Sequence, residues 1–393
     1  MHYVKIRNRI SSVGLLLLAF AAAPIFGQNP VVELFPNPAG DGSLQPQWST
    51  APDGSAVLSW VEPLKDGSYS LRYAVRRGAA WSDAHTVVAN RRFFRHPAEA
   101  PEVIAIDDGH WLAHWVEMPN ESSDAEYLYV SSSTDGVHWT APLMAHRDRS
   151  PVQHGLASMI GTGNGEASLI WLETPKGEDG PAYLMRTVVS MAGKEVREER
   201  LDPDVCSCCP TAVAKTSKGL LVAYRDHTPD DIRDISVIRF EGGHWSQPKN
   251  IYADNWQLDA CPINAASVAA KGDHVAIAWF TGAQDSPRVK VVFSDDSGST
   301  FSKPSVASTG HALGYTSVVL NDDGGATVSW LETKDDGARI LARQITSTGA
   351  PGPVAEVANG TRAALGYPRL FRSANGTFIA WGSSKVQTAR LQK

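Results

Sequence analysis

The stretch "GGATVSW" (Gly324 to Trp330) decides the fold. A Gly pair suited to a tight turn is followed by alternating apolar and small polar residues and ends in Trp, the period of two expected of a β-strand with one face in a core. Six further copies of the pattern run along the chain. They are "GSAVLSW" ending at Trp60, "GHWLAHW" at Trp115, "GEASLIW" at Trp171, "KGLLVAY" at Tyr224, "DHVAIAW" at Trp279 and "NGTFIAW" at Trp381. Successive aromatics are 55, 56, 53, 55, 51 and 51 residues apart. A spacing that steady marks a repeat architecture.

Each copy carries the same neighbours. A short strand precedes it, as in "PEVIAI" and "YTSVVLN", and a further strand follows a polar loop, as in "YSLRYAV" and "RVKVVFS". Three strands and a weaker fourth in about 52 residues make a β-propeller blade. The seventh copy stops after its third strand, while "VVELFP" (Val31 to Pro36) is a strand with no blade of its own. Pairing that strand with the last blade would close the ring and remove an open sheet edge. The expectation is an all-β, seven-bladed propeller of four antiparallel strands per blade, with six blades as the alternative count.

Composition agrees with short strands, tight turns and aromatic anchors, since 33 Gly and 24 Pro accompany 12 Trp. A formal charge of −6, with both signs interspersed, offers no basic stripe for a nucleic-acid backbone. The N-terminus reads as a signal peptide over residues 1–27, with Lys5, Arg7 and Arg9 ahead of the apolar run Val13 to Ala23. The remaining residues, 28–393, read as a single propeller domain with no membrane span, exported to the periplasm or beyond.

In two copies the turn after the third strand is distinctive. "SDDSGSTF" (Ser294 to Phe301) reads Ser-x-Asp-x-Gly-x-Thr-aromatic, and "STDGVHW" (Ser133 to Trp139) is one residue shorter. These resemble the Asp-boxes of sialidases and of the wider BNR-repeat group, with weaker relics in "EGGHW" (Glu241 to Trp245) and "RGAAW" (Arg77 to Trp81). The resemblance implies that the loops before each first strand and between second and third strands share a ligand face, opposite the Asp-boxes. It therefore puts all four cysteines, Cys206, Cys208, Cys209 and Cys261, on that face in adjacent blades four and five.

Other chemically capable residues fall in equivalent loops. His96, His154, His311, Arg362 and Trp256 do so, and the fourth-blade hairpin "YRDHTPDDIRDI" repeats an Arg-Asp pair as Arg225–Asp226 and Arg233–Asp234. Sialidases grip a carboxylate with three arginines and use a Tyr nucleophile with an Asp acid. By resemblance Arg225, Arg233 and Arg362 or Arg369 would form the triad, Asp226 or Asp234 the acid, and Tyr367 or Tyr315 the nucleophile. The match is partial: residues 30–100 lack the early Arg-Ile-Pro-type motif, with "RFFRHP" the nearest stretch, and no Tyr-Glu pairing can be read.

The leading expectation is thus an exported sialidase-like propeller that binds a polar or anionic ligand, a glycan, with exo-sialidase-type hydrolysis as its enzymatic extension. No cofactor is required by that reading. For the cysteines an exported chain favours disulfides, with Cys261 bonded to one of the three clustered thiols. Two other readings stay open. One is a copper or zinc or redox site built from Cys206, Cys208, Cys209 and Cys261, with His154 or His311 as a further ligand. The other is a non-catalytic interaction scaffold.

Overall fold

The computed structural model describes residues 30–120, 123–163, 165–177, 180–191 and 196–392. The expected signal peptide lies outside the described residues. Seven antiparallel sheets follow one another along the described chain, over residues 44–91, 102–144, 153–205, 212–250, 267–306, 312–360 and 369–392. These are the seven blades. Blade 6 shows the plan in full, with strands Ala312–Leu320, Ala326–Lys334, Gly337–Ile345 and Pro351–Gly360 in sequential order.

The ring closes as the sequence predicts. Strand Val31–Phe35 joins the outer edge of blade 7 antiparallel to Gln387–Gln392, in register from Val31 against Gln392 to Phe35 against Thr388. Thr388 Oγ1 donates to the Phe35 carbonyl at 2.7 Å, which ties the two chain ends together beyond the backbone ladder.

The repeated aromatic holds blade to blade. Trp60, Trp115, Trp171, Trp279 and Trp330 are at most 1% exposed, and Tyr224 and Trp381 are also buried. Each packs into the seam with the preceding blade. Trp115 sits among Val57, Val61 and Leu71 of blade 1, Trp330 among Val289 and Val291 of blade 5, and Trp60 against Phe371 and Phe378 of blade 7. A Trp takes about 200 Å² out of water, or about 5 kcal/mol gross at ~25 cal/mol per Å². Seven such seams, one per junction, make the ring mutually supporting.

The Asp-turns are built as the sequence suggests. Asp296 Oδ1 accepts the Thr300 amide at 2.8 Å, and Gly298, at φ +80°, donates its amide to Ser294 Oγ at 2.9 Å. In blade 2 Asp135 Oδ1 accepts the amides of Val137 and His138, both at 2.8 Å. The two weaker relics fold differently. Residues 77–81 and 241–245 are tight hairpins in which Arg77 faces Ala80 and Glu241 faces His244. The outer strand there is split in two, continuing as His85–Arg91 and Lys249–Asn250.

Antiparallel succession fixes which loops share a face. A strand that starts where its successor ends puts the loop before the first strand beside the loop after the second, and the Asp-turns fall on the opposite side. All the chemically capable loops named above therefore open on one face around the axis.

Candidate functional site

Cys208 and Cys261 form a disulfide with their Cα atoms 6.0 Å apart, joining the loops that lead into blades 4 and 5. Cys206 and Cys209 are buried free thiols whose sulfurs are 3.2 Å apart. The hydrogen bond with Cys209 draws the Cys206 thiol down to about 6, helped by the Cys208 amide and the charges of Arg225 and Arg233. Burial pushes Cys209 up. Cys206 Sγ is 3.9 Å from Cys208 Sγ, so a thiolate at 206 is placed for exchange with the disulfide that would release Cys261. With Cys208 bonded to Cys261, two thiols remain in the cluster, half the set a four-thiolate zinc site takes.

The two Arg-Asp pairs of blade 4 serve the scaffold. Arg225, 1% exposed, gives its donors to the carbonyls of Asn264 (3.0 Å), Arg233 (2.5 Å) and Phe280 (2.8 Å) and lies over the Trp256 ring at 5.0 Å. It fastens blade 4 to blade 5. Asp234 is buried and accepts the amides of Asn255 (2.9 Å) and Trp256 (3.1 Å). Asp226 is held by Ser236 Oγ at 2.6 Å and the His227 amide at 2.9 Å, and burial raises its carboxyl above the usual range. Arg233 donates to the Leu258 carbonyl at 3.2 Å and faces Asp231 at 3.6 Å. Trp256 is buried edge-on against Phe280.

The remaining predicted residues divide. Tyr367 is buried, stacked on Tyr315 with centroids 4.6 Å apart, and its hydroxyl accepts the Ala265 amide at 3.1 Å. Burial raises its ionisation well above that of a free phenol. Arg362 stands on an exposed helical turn, Arg362–Leu365, capped by Thr361, and donates to the Tyr315 hydroxyl at 2.5 Å. His311 is exposed. His154 is fully buried, its ring stacked on His146 with centroids 3.8 Å apart. Burial keeps both imidazoles neutral, drawing His146 down to about 3 and lowering His154.

Two hollows open on the shared face. A cavity of about 350 Å³ between blades 7, 1 and 2 is lined by Gln45, Tyr69, Arg95, Tyr367, Arg369 and Ser383, among others. Arg95 lies over the Tyr69 ring at 4.8 Å and donates to its hydroxyl at 2.8 Å. Arg369 lies over the Tyr367 ring at 4.5 Å and has no hydrogen bond or ion pair among the described residues. A smaller hollow of about 130 Å³ runs toward the disulfide, lined by His96, Glu126, Gln153, Cys208 and Cys261. His96 stacks on Phe94 at 5.6 Å and lines the smaller hollow, while its neighbours Arg95 and Pro97 line the larger one.

The structure therefore brings His96, Tyr367, Cys208 and Cys261 to the mouth and puts Arg225, Asp234 and Trp256 in the scaffold. Arg95 and Tyr69 are new members of the site. Arg95 had a signal, since it belongs to the "RFFRHP" loop that the sequence singles out.

No family model matches this chain, and no curated protein matches it. Solved structures do. An ulvan lyase, a polysaccharide lyase solved bound to -[GlcA(1-4)Rha3S]-, is similar with a TM-score of 0.59 at 11% identity, over 92% of this chain and 96% of that one. The BP39L lectin from Burkholderia pseudomallei is similar with a TM-score of 0.56 at 12% identity, over 90% of this chain and 99% of that one. The NanB sialidase from Streptococcus pneumoniae is similar with a TM-score of 0.44 at 11% identity, over 91% of this chain and 70% of that one. At such identities the likeness to the ulvan lyase and to the lectin is one of fold alone.

Proposed function

We propose that this propeller binds an acidic glycan at the axial mouth, with Arg95 and Arg369 holding a carboxylate or sulfate and Tyr69 and His96 offering ring faces to the sugar. The carrying observation is the pair of guanidinium groups laid over tyrosine rings in one cavity, of which Arg369 makes no hydrogen bond or ion pair among the described residues. Planar guanidinium matches a carboxylate or sulfate in two contacts, and a tyrosine face suits the apolar side of a pyranose. The same fold serves a lyase solved with a uronate-sulfate repeat and a lectin.

Hydrolysis of sialidase type is the narrower reading, with Tyr367 as the nucleophile present in the cavity. No Asp or Glu is among the described residues lining that cavity, so binding is the better supported activity. Export fits this role. The Cys208–Cys261 bond belongs to an oxidising compartment, and no described helix is long and apolar enough to cross a membrane.

Calorimetric titration with ulvan oligosaccharides, heparin and polygalacturonate, and with a neutral β-glucan as control, tests the proposal. Binding confined to acidic glycans, weakened by salt and at least about tenfold by Arg369→Ala or Arg95→Ala, is expected. Equal binding of the neutral glucan, or no binding of any acidic glycan, would overturn it.

A further inference from the structure

Blade 3 departs from a device that three other blades keep. In blades 1, 2 and 6 the second strand ends in Trp-x-Glu, and the Glu is enclosed by an indole and an arginine. Trp60 Nε1 donates to Glu62 at 2.8 Å and Arg72 pairs with it at 2.7 Å. Trp115 and Arg91 reach Glu117 at 2.5 and 2.7 Å, and Trp330 and Arg339 reach Glu332 at 3.2 and 2.7 Å. Blade 3 has the same tripeptide, Trp171-Leu172-Glu173. Here, however, Trp171 Nε1 donates to Thr187 Oγ1 at 3.0 Å, and Tyr183 stands across the ladder from Glu173 where blade 6 has Arg339 across from Glu332.

Freed from that enclosure, Glu173 faces a histidine. Its Oε2 lies 3.9 Å from His154 Nε2, and Asp148 Oδ2 lies 3.9 Å from the same nitrogen. His154 is wholly buried, and its Nε2 has no hydrogen-bond partner in the described structure. The other ring nitrogen, Nδ1, is 2.9 Å from the Glu126 carbonyl, an acceptor only, so Nδ1 carries the proton and Nε2 presents its lone pair. An orphaned imidazole nitrogen between two carboxylates, its far side anchored to a carbonyl, is the arrangement of a metal-ligating histidine.

The surrounding groups fit that role. The three ligand atoms all lie within 4.8 Å of one another. The Asp148 side chain is partly exposed and gives solvent access, while Ser150 Oγ donates to its Oδ2 at 2.7 Å and orients it. His146 stacks under His154 and donates from Nδ1 to the Asp148 carbonyl at 2.6 Å, which holds the loop carrying Asp148 against the ring.

We propose that Asp148, His154 and Glu173 bind a divalent transition-metal cation, zinc or a neighbour in the series, with His146 as a positioning residue. Tetrahedral bonds of about 2.1 Å set ligand atoms about 3.4 Å apart, so the 3.9 Å spacings close by about half an ångström on binding. Two carboxylates cancel the charge of the ion. Three protein ligands leave a fourth position open to solvent on the ligand face, the pattern of a cation that also touches a ligand or water. The site is separate from the cysteine cluster and does not depend on the glycan reading.

The test uses the full chain with Cys206→Ser and Cys209→Ser in place, so that free thiols contribute nothing, after treatment with a chelator and dialysis. Titration with Zn²⁺ by calorimetry, and with Co²⁺ by visible absorption, is expected to give one site per chain whose Co²⁺ spectrum lacks a thiolate charge-transfer band. Glu173→Gln and His154→Asn are each expected to weaken binding at least tenfold. Glu173→Gln removes no hydrogen bond of the fold, so its unfolding midpoint in chelator serves as the control for folding. Absence of binding, or one-site binding unchanged in Glu173→Gln, would overturn the assignment.

Discussion

Exchanging Glu332 for Gln in blade 6 and Glu173 for Gln in blade 3 alters the same position of the same tripeptide by the same atoms, yet the two sites assign very different costs. Glu332 is 1% exposed. Its Oε1 accepts from Arg339 at 2.7 Å, and its Oε2 accepts from Trp330 Nε1 at 3.2 Å and from the amides of Gly310 and Thr309 at 3.0 and 3.4 Å. A glutamine keeps one acceptor oxygen and must turn its NH₂ against either the guanidinium or the three donors. Arg339 keeps Glu356 at 3.5 Å and is partly exposed, so the cost is that of charged hydrogen bonds lost at a buried carboxylate, about 1.5–3 kcal/mol. Glu173 accepts no hydrogen bond among the described residues, and burial together with the charges of Asp148 and Glu198 already raises its carboxyl. Its exchange should therefore change stability by no more than about 0.5 kcal/mol in the absence of metal. Urea unfolding of both variants in chelator, followed by tryptophan fluorescence, reads the difference. A gap of at least about 1 kcal/mol is expected from these two estimates. Equal losses, or a Glu332→Gln change under about 1 kcal/mol, would refute the claim that the repeated Trp-x-Glu is enclosed in one blade and released in the other.

Two further outcomes follow from the fold. Replacing Cys208 and Cys261 together by Ser, in a chain already carrying Cys206→Ser and Cys209→Ser, opens a link between residues 53 apart and should cost about 4 kcal/mol by loop entropy. An unchanged urea midpoint would show that the link does not constrain the unfolded chain. Glu99 is buried, its Oε2 accepts the Leu156 amide at 2.5 Å, its Oε1 has no hydrogen-bond partner among the described residues, and burial raises its carboxyl. The folded chain thus takes up this proton more readily than the unfolded one, whose glutamate titrates near ~4.3. Stability attributable to Glu99 rises as pH falls through the raised folded value and levels off below the unfolded one. Glu99→Gln should accordingly stabilise the protein at pH 7 and lose that advantage by about pH 4. A variant as pH-sensitive as the parent would contradict this.

The architecture was legible because it is periodic. Seven aromatic strand ends at a near-constant interval, and one unpaired strand before the first of them, point to seven blades and to closure, and the structure removes the alternative count of six. The shared face was implied by the resemblance of two turns to Asp-boxes, which is how His96, Tyr367 and the nearness of Cys261 to the cysteine cluster could be placed. What individual side chains do there was not. Arg225 and Arg369 look alike in sequence, but one is surrounded by three carbonyls of its own and the next blade, and the other lies over a ring with its donors free. That difference is made by loops whose paths carry no period. Glu173 is the clearest instance, since its tripeptide is shared with blades 1, 2 and 6; Tyr127 stands across the ladder from Glu117 as Tyr183 does from Glu173, yet Arg91 and Trp115 enclose Glu117, whereas Trp171 turns to Thr187 and no arginine pairs with Glu173 among the described residues.

The seam between Val31–Phe35 and Gln387–Gln392 joins partners about 355 positions apart, so it can be sewn only after nearly the whole polypeptide has been synthesised. Until then the seventh sheet has a bare border and the first strand has nowhere to dock, a long-range dependence that delays completion of the circle. A circular permutant that links the natural ends and opens the chain at the exposed turn around Gly54 would turn this last stitch into a local hairpin while leaving the finished ring with the same interfaces.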